Sequence, residues 1–101
     1  MARTVIWTET ALKDLDQAAE FIARDSKFYA AAFIREVRKA ARSLKRFAER
    51  GRIVPEVGKP EIRELFVRRY RLIYKIDGVD RIYIVRFIHG ARDFSTLWLH
   101  D

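Results

Sequence analysis

The apolar positions of this chain change their period along its length, and each change predicts an element. Thr4 to Trp7 is short, β-branched and aromatic, the pattern of a strand. Thr8 follows as an N-cap with Glu9 in the positive first turn, and Leu12, Leu15, Ala19 and Ile22 recur at helical spacing. Asp25-Ser26 breaks that helix and caps the next, where Ala30, Ile34, Val37, Ala41, Leu44 and Ala48 form one apolar stripe running to a stop at Gly51. Residues 51–60 hold two glycines and both prolines and predict a long connection.

Beyond residue 60 the period falls to two. Glu61 to Val67 mixes in charges, as at a sheet edge. Tyr70, Leu72, Tyr74 and Ile76 alternate with Arg71, Ile73 and Lys75; Asp77-Gly78 predicts the turn, and Arg81 to His89 returns. In that last strand Ile82, Ile84 and Ile88 are expected on one face and Tyr83, Val85 and Phe87 on the other, which places it inside a sheet covered on both sides. The order is β-α-α-β-β-β: an α+β fold with a helical hairpin packed on a mainly antiparallel sheet. No linker or repeat divides it, so residues 1–101 read as a single domain.

Composition narrows the chemistry. Half of the chain is apolar, enough for a core without staples, and the absence of cysteine excludes disulfides, thiolate metal sites and a cysteine nucleophile. His89 and His100 are too few for a zinc site, so no metal or cofactor is expected. Neither a signal peptide nor a membrane-spanning run is visible, which predicts a cytosolic protein with no membrane partner.

The formal charge of +7 is uneven. Residues 1–25 carry a local −2, whereas residues 35–52 hold eight Lys or Arg against Glu36 and Glu49. Arg38, Arg42, Arg46 and Arg50 follow at i,i+4 spacing, where like charges weaken a helix, so this row is expected to serve an anionic partner. Arg71 and Arg86 fall within strands, and burying a guanidinium is costly unless something negative meets it. For Arg86 an internal ion pair with Glu64 or Asp93 comes first. Arg71, flanked by Arg68 and Arg69, has no evident local partner, which points to anion binding. His89 at a strand end is either a general acid–base or, more plainly, a hydrogen-bonding residue that sets the chain's exit. Arg92-Asp93 and Trp98 read as locks for the tail, and Trp7 as a core aromatic.

The succession Arg63-Glu64-Leu65, Tyr70-Arg71-Leu72-Ile73-Tyr74, Ile82-Tyr83-Ile84-Val85-Arg86 and His89-Gly90-Ala91-Arg92-Asp93 resembles the RelE/ParE superfamily of toxins from bacterial type II toxin–antitoxin pairs. The resemblance begins at Trp7-Thr8 and covers nearly the whole chain. It implies the fold read above, growth arrest of the plasmid-stabilisation type, and a cognate antitoxin, expected to be acidic and to neutralise Arg38, Arg42, Arg46, Arg68, Arg69, Arg71, Arg86 and Arg92.

Two activities divide that superfamily: RelE-like members cleave messenger RNA on the ribosome, and ParE-like members poison DNA gyrase. The Arg63-Glu64-Leu65 strand and the His89–Asp93 ending look closer to ParE. Toward the ribonuclease branch, Arg71 resembles the phosphate-binding arginine of that strand and His89 the histidine near the end of the sheet, with Glu61 as the candidate base and Arg86 as a further candidate. Gly90, where an aromatic often follows the histidine, and the sparse lysines of Gly58-Lys59-Pro60-Glu61 make that set look degraded. A non-toxic nucleic-acid-binding module is a third reading, and the helical hairpin leaves a homodimer open.

Overall fold

A computed structural model describes residues 2–95. The elements are β1 (Thr4–Trp7), α1 (Glu9–Ala23), α2 (Lys27–Ser43), a 3-10 turn (Ala48–Arg50), β2 (Arg52–Ile53), β3 (Ile62–Val67), β4 (Tyr70–Asp77) and β5 (Arg81–His89). They build one sheet in the order β1-β5-β4-β3-β2, with β1 parallel to β5 and every other pair antiparallel. β3 is therefore not the edge: the two-residue β2 covers it. No described helix is long and apolar enough to cross a membrane.

Both helices start as their caps dictate, with Thr8 accepting from Ala11 N and Ser26 from Tyr29 N. Their apolar faces meet Leu72, Tyr74, Ile82, Ile84 and Phe87 of the sheet, with Ala11, Leu15, Phe33 and Val37 buried between. The stripe is rotated from the expected one: Leu12 is exposed while Ala11 is buried, and Phe33 is more deeply enclosed than Ile34.

α2 stops at Ser43, short of the predicted end at Ala48. Its last turn tightens through bonds from Leu44 N to Ala41 O and from Lys45 N to Arg42 O. The Ser43 hydroxyl, donating to Ala40 O, accepts from Arg50, so the arginine row leaves the helix after Arg42. Gly51 is not the helix stop; its φ of −76° is ordinary. It is there because a Cβ would stand 2.5 Å from Glu64 O and 2.7 Å from the Tyr74 hydroxyl.

The alternation in β5 also breaks. Tyr74 pairs with Ile84 and Ile73 with Arg86, leaving Val85 as an extra, bulged residue. Side chains after the bulge exchange faces, so Phe87 joins Ile82 and Ile84 under the helices. Ile88 turns to the opposite face with Val54, Ile62, Ile73 and Phe94. Both faces of β5 are covered as expected, with the occupants of two positions reversed. Trp98 and His100 lie outside the described residues.

Candidate functional site

Three places bring together the residues singled out above. The first is the sheet face away from the helices. Glu64 and Arg71 alternate onto it from β3 and β4 and are almost wholly enclosed, with side-chain exposures of 0% and 3%. Arg71 Nε donates to Glu64 Oε1 at 2.6 Å, and Arg52 Nε donates to the other oxygen at 2.6 Å. From the long connection Glu56 reaches in, accepting from Arg71 Nη1 and Nη2 at 2.7 Å each. Arg71 Nη1 also donates to Arg92 O, and Phe94 N donates to Glu56.

The result is an alternating chain of charge, Arg52–Glu64–Arg71–Glu56, in which each inner group meets two opposite ones. That arrangement offsets the cost of burying Arg71. Its hydrogen bonds to Arg71 hold the Glu56 carboxyl down at about 2, against an ordinary 4.5, and the same bonds raise Arg71. The expectation that Arg71 lacks a partner is thus corrected: four of its five N–H donors are engaged. Glu56 was invisible to periodicity because it sits in a proline- and glycine-bounded loop.

The second place is a cleft of about 200 Å³ between α1 and the end of β5, where His89 and Arg92 stand with Asp14, Gln17, Phe21 and Tyr70. His89 is exposed and its Nδ1 accepts from Ala91 N at 3.3 Å. The edge of its ring meets Tyr70, which stacks on Phe87 at 5.0 Å. Asp14, in the cleft lining, accepts from Arg86 Nε and Nη2 at 2.7 and 3.0 Å and from Phe87 N at 2.9 Å. The expected partners Glu64 and Asp93 are replaced by Asp14, because β1 ends at Trp7 and leaves the rest of β5 an open edge for α1 to cover. An acid on the buried stripe of a helix, between Ala11 and Leu15, was the available signal.

The two places adjoin at Arg92, whose carbonyl accepts from Arg71 and which also lines the cleft, but Arg71 itself does not line it. Arg71 points from the opposite face to Tyr70, the register partner of His89. Glu61 lies at the far end, where its carbonyl accepts from Ile76 N; from Tyr70 to Ile76 is roughly 20 Å of strand. Glu61, His89 and Arg71 therefore do not share one site.

The third place is the flank along β1, where Arg38 and Arg42 of α2 and Arg46 of the following turn are all exposed. Arg68 and Arg69 form the β3–β4 turn at the other end of the sheet. Arg68 takes a positive φ of 55° and ties that turn to α2 through Glu36 at 3.0 Å.

The comparisons with known proteins agree with this architecture. The family model of the ParE toxin of type II toxin–antitoxin systems (parDE) matches residues 5–94. The chain is 36% identical over 93 residues to toxin RelE2 of Caulobacter vibrioides, covering 87% of this chain and 96% of that one. A chain of the chromosomal ParDE system from P. aeruginosa superposes with a TM-score of 0.71 at 20% identity, over 87% of this chain and 96% of that one. This protein belongs to the ParE toxin family, within the RelE/ParE superfamily of type II toxin–antitoxin systems, and has a cognate antitoxin as its partner.

Proposed function

We propose that this toxin arrests growth by binding DNA gyrase and trapping its cleaved DNA complex, rather than by cutting RNA. The observation that carries this reading is the engagement of Arg71 by two carboxylates. The cation a ribonuclease would turn toward phosphate is already clasped by Glu56 and Glu64. A poison needs no catalytic group, only a surface that prefers one state of its target. The hairpin offers such a surface, with Phe21, Phe28 and Tyr29 all more than half exposed. Its antitoxin, on this reading, is an acidic segment that folds against the arginines.

The test is incubation of the purified toxin with gyrase, ATP and supercoiled plasmid, followed by detergent and protease. Accumulation of linear DNA is the expected result. Growth arrest without linear product would instead favour messenger RNA cleavage, for which His89 and Arg92 in one cleft are the supporting observation.

A further inference from the structure

The flank along β1 carries a feature that neither the fold nor the gyrase reading uses. A groove of about 570 Å³ opens between the start of β1 and the turn after α2, lined by Arg3, Arg46, Phe47, Ala48, Glu49 and Arg50. Phe47 is 63% exposed although it stands beside a buried neighbour, Ala48. Arg3 Nε is buried and meets no hydrogen-bond acceptor among the described residues, a costly state for a charged donor. Three guanidinium groups against the single carboxylate of Glu49 leave the groove positive.

A second groove, of about 230 Å³, continues along the same flank between Trp7, the α2 cations Arg38 and Arg42, and Lys45 of the following turn. The two are joined at the backbone, where Arg3 N donates to Lys45 O at 2.9 Å. Cations therefore follow one another along β1, with the exposed Phe47 in the first groove and Trp7, half-buried against the core, in the second. Arginines that follow a phosphate backbone, interleaved with open aromatic faces on which bases stack, are the chemistry of single-stranded nucleic-acid binding.

We propose that this flank binds a single strand of nucleic acid, with its phosphates on Arg3, Arg46 and Arg50 and one unstacked base on Phe47. An acidic peptide would meet the same charge and can cover the same ring with an apolar side chain, so competition by polyglutamate is one of the outcomes of the test. The site is separate from Arg71 and His89, and it does not depend on gyrase being the target.

Fluorescence anisotropy of the full chain with a labelled oligo-dT, an oligo-rU and a duplex of equal length tests it. The single strands are expected to bind more tightly than the duplex. Phe47→Ala should weaken that binding by about tenfold, while Phe47→Trp retains it. Arg46→Ala should lower the slope of log affinity against log salt by about 0.7. A preference between oligo-dT and oligo-rU identifies the strand the site takes. Both substituted side chains are exposed, and circular dichroism verifies that the variants stay folded. Wild-type affinity in Phe47→Ala, equal binding of the duplex, or equally effective competition by polyglutamate would overturn the proposal and leave net charge as the cause.

Discussion

Arg71 clasps Glu56 with both terminal nitrogens, at 2.7 Å each, and this pair fastens the long connection between β2 and β3 onto the open face of the sheet. Glu56 in turn accepts from Phe94 N, so the same carboxylate holds the start of the C-terminal segment. Two irregular stretches thus converge on one buried guanidinium. They cover Ile73 and Ile88, which the helices on the other face do not reach.

Removing that carboxylate should loosen both stretches at once. Glu56→Gln is expected to lower stability by about 2 kcal/mol, since Arg71 keeps Glu64 but loses its second counter-charge. Urea unfolding gives the change in stability. Limited proteolysis should show faster cleavage within residues 54–60.

The same pair predicts acid sensitivity. The folded carboxyl of Glu56 sits at about 2, below its ordinary 4.5. Its contribution is therefore complete above 4.5 and lost as pH falls from 4.5 toward 2. It amounts to at most about 3 kcal/mol, because the group is partly open to solvent. Unfolding free energy followed across that window should fall less steeply in Glu56→Gln than in the parent.

Asp14 satisfies Arg86 and the amide of Phe87 together. Asp14→Ala leaves a nearly buried guanidinium and a strand N–H without that acceptor, and should cost about 3 kcal/mol. The apolar double variant Asp14→Leu with Arg86→Met is expected to recover part of the loss. A thermal-melting cycle over the single and double variants measures the coupling.

Tyr74 donates to Ala48 O at 2.6 Å and accepts from Gly51 N at 3.0 Å, bracing the turn that follows α2. Tyr74→Phe removes both bonds from a buried site and should destabilise by about 2 kcal/mol. Circular dichroism melts read the shift.

His89 tests the mechanism rather than the fold. On the gyrase reading, His89→Ala, at an exposed ring, arrests growth as strongly as the parent chain. Loss of arrest with the fold intact would assign His89 a chemical role.

Much of this architecture is written locally. The caps at Thr8 and Ser26, the period-two run of β4 and the uneven basic charge depend on residues a few positions apart. Element order and the helix-on-sheet arrangement follow from such short-range rules. What tertiary structure decided is which charge meets which. Arg71 finds Glu56 15 residues away, and Arg86 finds Asp14 72 residues away, on a helix that lies over an edge left open by a short β1. No periodicity encodes those encounters, because they depend on loop closure and strand register. One inserted residue, Val85, then exchanges the faces of Phe87 and Ile88, since side chains in a strand alternate and a single bulge inverts all that follow.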